Sequence, residues 1–150
     1  MRDRKSLQVL VDTTFLLPTL GIEVEEHAQE VIPLFRRVQV YYLEASILEA
    51  LWKLVKLKID PSTLESGVEA IRSTYNELLP KASAFRIALA LYELGHRDLI
   101  DNLLYASSFK SGMLFLTIDE DFVDFLRTKK QPLSHVLTPL SFKKAVKRVS

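Results

Sequence analysis

Residues 113–118, MLFLTI, form a short and continuous apolar run. Such a run suits a strand buried on both faces, which means a parallel sheet covered by helices. Gly112 stands before it and can take the left-handed conformation that ends a helix. Upstream, Leu99, Ile100, Leu103, Leu104 and Ala106 recur at helical spacing. Asp119, Glu120 and Asp121 come directly after the run. An acid just past the carboxyl end of a buried parallel strand is where α/β proteins usually place their chemistry.

The same junction recurs earlier in the chain. Residues 7–11, LQVLV, read as a strand that stops at Asp12, Thr13 and Thr14. A short helix is expected over 15–20, limited by Pro18 and Gly21, and a longer one over 25–37, complicated by Pro33. Residues 38–43, VQVYYL, are β-branched and aromatic and predict a strand. Over 44–58, Ile47, Leu48, Leu51, Trp52 and Val55 make a helical stripe, with Glu49 beside it. Asp60-Pro61 opens a helix expected to run to about residue 79. Pro80 opens another that ends at Leu94-Gly95 and is apolar almost all round, as expected of a well-packed helix. Helix is expected over 121–129, a brief strand over 136–137 and a closing helix over 139–149. Strands alternating with helices imply an α/β fold, with a parallel sheet covered on both sides. With 150 residues and no internal repeat or linker, residues 1–150 are expected to form a single domain.

If the strands run parallel, their carboxyl ends share one edge. Asp12, Glu49 and Asp119 then converge there, joined by Asp101 from the helix feeding the third strand. Two unit charges about 4 Å apart repel by about 4 kcal/mol at an effective dielectric of about 20. Such a cluster is therefore partly protonated or holds a hard cation. Oxygen donors without cysteine or well-spaced histidine suit Mg²⁺ or Mn²⁺. Thr13, Thr14 and Thr117 could orient ligands or waters. A site of this kind suits phosphodiester hydrolysis. Each acid also has a plainer reading. Asp98 suits an N-cap, with Asp101 at the third helical position, and Asp12 could cap the helix after it. His27, His96 and His135 sit in separate segments without ligand spacing and read as structural.

Composition removes several classes. The formal net charge of +1 gives no overall field toward nucleic acid or membrane. Charge is uneven, though: residues 129–150 carry Lys129, Lys130, Lys143, Lys144, Lys147 and Arg148 and no acid. That tail is either a solvated face or a phosphate-contacting patch for RNA. The absence of cysteine excludes disulfides, a thiolate nucleophile and thiolate metal sites, and fits a cytoplasmic location. Arg2, Arg4 and Lys5 precede an apolar run, but Asp12 interrupts it too early for a signal peptide, and no stretch is long enough to span a bilayer.

The ordered set Val11-Asp12-Thr13-Thr14, Ser46-Ile47-Leu48-Glu49, Asp101-Asn102-Leu103-Leu104-Tyr105-Ala106, Gly112 and Leu116-Thr117-Ile118-Asp119-Glu120-Asp121-Phe122 resembles the PIN domain family over roughly residues 7–137. The resemblance implies a three-layer αβα sandwich around a five-stranded parallel sheet, and metal-dependent cleavage of RNA. It carries the catalytic acids onto Asp12, Glu49, Asp101 and Asp119, with metal ligation by Asp12, Asp101 and Asp119 and an auxiliary part for Asp121. Thr13 and Thr117 would support them. Asn102 and Tyr105 stand where the family usually has small or branched residues. VapC-type toxins of toxin–antitoxin pairs are family members, so the resemblance also implies an antitoxin partner and a homodimer. The apolar middle helices could supply the dimer face.

Two other classes compete. A nuclease-like scaffold could bind RNA or protein without cutting, but it has no reason to maintain such repulsion. A phosphatase with an aspartyl nucleophile wants a second Asp two positions after the first, where Thr14 stands, and a phospho-receiver wants paired acids after the first strand.

Overall fold

The computed structural model describes residues 6–149, so Arg2, Arg4 and Lys5 lie outside the described residues. Five strands, β1 (Gln8–Val11), β2 (Gln39–Tyr42), β3 (Asn76–Glu77), β4 (Leu114–Leu116) and β5 (Val136–Leu137), form one sheet in the order β3-β2-β1-β4-β5. Every pairing is parallel, with Val9 opposite Val40 and Val11 opposite Leu116. Successive strands step outward in one direction from β1 to β3 and in the other from β4 to β5. The order therefore reverses between β1 and β4, and a crevice opens at their carboxyl ends.

Seven α-helices flank the sheet among the described residues: α1 (Glu26–Val31), α2 (Glu44–Leu57), α3 (Pro61–Thr74), α4 (Ala82–Leu94), α5 (Leu99–Ser111), α6 (Glu120–Thr128) and α7 (Pro139–Val149). The period of two along each strand divides them into two layers. Val9, Val11, Val40, Tyr42 and Leu116 enter one core with Ala28 and Val31 of α1, Ile47, Ala50 and Leu54 of α2, Ile71 of α3, and Phe142 and Val146 of α7. Leu10 and Phe115 enter the other with Leu91 of α4, Leu104 and Tyr105 of α5, and Phe122 and Leu126 of α6. The parallel sheet covered on both sides, expected from the alternation, and the three-layer αβα arrangement that the resemblance implies are the ones observed.

Local departures have local causes. Pro33 cannot donate into an α-helical ladder, and the helix expected over 25–37 becomes α1 followed by a 3₁₀ segment, Ile32–Arg37. The helix expected to reach residue 79 stops at Thr74, and Asn76–Glu77 pairs with Tyr41 and Tyr42 as the edge strand. Asn76 Nδ2 adds a hydrogen bond to the Val40 carbonyl at 3.1 Å. Helix α4 starts at Ala82 rather than at Pro80 and is half covered: Ala84, Ala88 and Leu91 are buried, whereas Phe85, Leu89 and Leu94 are exposed. Gly67 of α3 lies against the 3₁₀ turn Pro18–Leu20, where a Cβ would come within 2.9 Å of the Thr19 carbonyl oxygen. Gly112 ends α5 at φ +68° and turns the chain straight into β4.

Candidate functional site

Four elements deliver acids to the crevice. Asp12 follows β1, and its N–H donates to Leu116 O at 3.1 Å, continuing the β1–β4 ladder one residue past the strand. Asp119 leaves β4 as the N-cap of α6 and accepts the Phe122 N–H at Oδ1, 3.0 Å away. Asp101 sits on the first turn of α5, where Asp98 accepts its N–H at 3.0 Å. Glu49 comes from the second turn of α2, and Thr13 donates its hydroxyl to Glu49 Oε1. The plain readings and the convergent one hold together: Asp12, Asp98 and Asp119 each cap a helical turn at this edge.

Hydrogen bonding is unequal among these acids. Asp12 is buried and accepts three donors: the Thr14 N–H at Oδ1 (3.0 Å), and the Thr117 hydroxyl (2.8 Å) and Ile118 N–H (3.1 Å) at Oδ2. A carboxylate has about four lone-pair positions, so one remains for a cation. Thr117 in turn accepts the Asp119 N–H at 3.1 Å. The Asp101 carboxylate, in contrast, meets no hydrogen-bond donor among the described residues.

The electrostatics reflect this inequality. Burial pushes Asp12 up to about 6, against the pull of its three donors and with a further push from Asp119. Asp101 rises to about 8: burial is the largest cause, followed by the charges of Asp98, Asp119, Asp12 and Glu49. Every one of those neighbours is an acid, so their crowding is relieved by a proton on Asp101 or by a cation. The donor set present, carboxylate oxygens with unused lone pairs, fits Mg²⁺ or Mn²⁺.

The remaining expected residues fall around this centre. Asp121 is exposed on the first turn of α6 and lines an open hollow with Glu25, His27, Asp119 and Glu120. Lys129 and Lys130 follow α6, so they stand at the opposite end of that helix from Asp119, roughly 13 Å along its axis. Lys143 is bound to Glu30 at 2.6 Å, while Lys144 beside it is exposed. A different hollow, lined by Leu7, Gln8, Gln39, Gly112 and His135, opens at the amino ends of the strands, away from the acids.

One further residue lies close to these acids. A ring nitrogen of His96 lies within 4.8 Å of carboxylate oxygens of Asp101 and Asp119. A residue that the sequence marks as structural therefore stands beside two of the acids. The signal available was position: His96 lies in the turn that feeds the helix bearing Asp101. Asn102 explains its own departure from a small residue, since its fully buried amide joins the Ala88 carbonyl, the His96 carbonyl and the His96 ring.

Comparison with known proteins adds the relationship. A family model described as PIN domain matches residues 9–127. No curated protein matches the chain at a significant level. Among solved structures, a chain of a toxin–antitoxin complex from Klebsiella pneumoniae is similar at TM-score 0.61 and 17% identity, covering 87% of this chain and 97% of that one. VapBC2 from Rickettsia felis, bound to a DNA fragment from its promoter, gives TM-score 0.61 at 12% identity, covering 88% and 98%. VapC20 from Mycobacterium tuberculosis, described as a Sarcin-Ricin loop cleaving toxin, gives 0.55 at 19% identity, covering 77% and 93%. At these identities the structural likeness speaks for the fold.

Proposed function

The chain belongs to the PIN domain family, and on that premise we propose that it is a metal-dependent endoribonuclease acting as one domain over residues 1–150. The observation that carries this reading is the placing of Asp101: its carboxyl group meets no hydrogen-bond donor among the described residues and is ringed by Asp98, Asp119, Asp12 and Glu49 at the crevice where the strand order reverses. Asp12, Asp101 and Asp119 would hold Mg²⁺ or Mn²⁺, with Asp121 at the rim. The ion would supply positive charge near the scissile phosphate and a more acidic bound water. Glu49, oriented by Thr13, faces the same charges and would help to place that water. Thr117 fixes Asp12 in position. Past the crevice, RNA phosphates would meet Lys129 and Lys130 just beyond the end of α6, and Lys143 and Lys144 on α7.

The solved relatives that are toxins or toxin–antitoxin complexes favour a role as the toxin of such a pair, with an antitoxin protein as partner. The exposed apolar stripe of α2, Leu48, Trp52 and Val55, favours a homodimer. No helix among the described residues is long and apolar enough to cross a membrane, and the absence of cysteine suits the cytoplasm. A scaffold that binds without cutting is the weaker reading, because nothing in binding alone calls for an acid kept without donors among acids.

The decisive test is cleavage. Purified protein with Mn²⁺ is offered a panel of structured and single-stranded RNAs, beside Asp101→Asn. Cutting by the native protein and its loss in the variant, with an unchanged circular dichroism spectrum, is the expected result. No cutting above the variant on any RNA sinks the enzyme reading.

A further inference from the structure

The His96 ring is held by the two helices that present its neighbouring acids. Its Nδ1 lies 2.9 Å from Asn102 Oδ1, next in sequence to Asp101. Its face stacks on Phe122, three residues after Asp119, with centroids 4.3 Å apart, and Phe125 sits at 5.3 Å. The Asn102 amide has a settled orientation, because its Nδ2 donates to the His96 carbonyl at 2.8 Å and to the Ala88 carbonyl at 3.3 Å. Oδ1 must therefore accept, and Nδ1 must carry the hydrogen. In the neutral ring this leaves the lone pair on Nε2. No hydrogen bond occupies Nε2 among the described residues. A ring fixed in one tautomer by a hydrogen bond at its other nitrogen is the usual arrangement of a metal-binding histidine.

We propose that His96 is a nitrogen ligand, through Nε2, of the divalent ion held by Asp101 and Asp119, and that it shifts this site toward Mn²⁺ over Mg²⁺. Imidazole suits borderline transition ions, whereas Mg²⁺ prefers oxygen donors and sheds water reluctantly. An all-carboxylate crevice would discriminate little between the two ions. One aromatic nitrogen beside Asp101 and Asp119 supplies the discrimination. This inference rests on the acids forming a metal site, as proposed above.

The test uses the full chain loaded with Mn²⁺. Pulsed electron paramagnetic resonance detects a nitrogen bonded to Mn²⁺ as a nuclear modulation, and ¹⁵N-histidine labelling changes it in the native protein without any substitution. His27 lines the hollow next to Asp119, so His27→Gln serves as the control. The native protein and His27→Gln are expected to show the histidine modulation, and His96→Gln to lose it. Calorimetric titration should then show Mn²⁺ affinity falling by roughly tenfold or more in His96→Gln, with Mg²⁺ affinity changing far less. If Mn²⁺ binds and Asp101→Asn weakens it, but no histidine modulation is seen, the inference is overturned while the acidic metal site stands. A modulation that survives His96→Gln, or vanishes in His27→Gln, also overturns it. Absence of any Mn²⁺ binding overturns both this inference and the nuclease reading beneath it.

Discussion

The Thr117 hydroxyl donates to Asp12 Oδ2 across 2.8 Å, joining residues 105 positions apart at the carboxyl ends of two neighbouring strands. The Thr117 hydroxyl oxygen also accepts the Asp119 N–H at 3.1 Å. One buried hydroxyl thus sets the spacing between two acids from different strands.

Thr117→Val keeps the shape and removes both bonds. It leaves the buried Asp12 carboxylate short of a donor, which costs about 1–3 kcal/mol. Denaturant unfolding should show that loss at pH 8, where Asp12 is ionised. Mn²⁺ affinity, read by titration calorimetry, should fall with it, because Asp12 and Asp119 lose their common anchor.

The pH profile of the metal-free protein should slope downward. Asp12 and Asp101 are both raised in the folded state, to about 6 and about 8, above their unfolded values near 4. The folded chain therefore holds protons that the unfolded chain releases, so stability falls as pH climbs from about 4 to about 8. Melting temperature in EDTA should decline across that window. Asp101→Asn should flatten the upper part of the decline, and saturating Mn²⁺ should reverse it by binding the ionised acids. A metal-free profile that rises over the same range would contradict this.

Gly67→Ala tests the seat of α3 on the Pro18–Leu20 turn. Helix propensity alone would gain up to about 1 kcal/mol. The new Cβ, however, would meet Leu20 Cδ2 at 2.8 Å and the Thr19 carbonyl oxygen at 2.9 Å. Backbone cannot give way as a side-chain tip can, and overpacking typically costs about 1–3 kcal/mol. The net outcome is a loss, seen as a lower urea midpoint with an unchanged slope.

Trp52→Glu tests the α2 face. Trp52 is 62% exposed and Val55 74%, one turn apart on a stripe that includes Leu48. A central tryptophan in an interface is commonly worth about 2 kcal/mol or more, roughly thirtyfold in dissociation constant. Sedimentation equilibrium should find the native chain dimeric and Trp52→Glu shifted to monomer, at unchanged melting temperature of the monomer. A native chain that is monomeric at high concentration removes the dimer.

The acids and their strands were legible because strand-then-acid junctions are local patterns. LQVLV before Asp12 and MLFLTI before Asp119 each announce a buried strand with an acid at its carboxyl end. Parallel pairing then forces those ends together. Asn76–Glu77 was illegible for the opposite reason: two polar residues on an exposed edge carry no periodicity, and only Tyr41 and Tyr42 beside them make them a strand. His96 read as structural because its relation to Asp119 is made by the stacking of its ring on Phe122 of α6, which no spacing along the chain encodes. The exposed half of α4 was hidden as well, since an apolar residue reads the same in sequence whether it is covered, like Leu91, or bare, like Leu89.

The outermost strands, Asn76–Glu77 and Val136–Leu137, are each two residues long. Unpaired backbone along a sheet margin is the template on which stray chains zip together, and here each margin offers too short a landing strip to start one. The interior strands are apolar and β-prone, and brevity at the borders fences them from foreign partners. Lengthening either border with β-branched residues would remove that fence and invite insolubility without touching the acids.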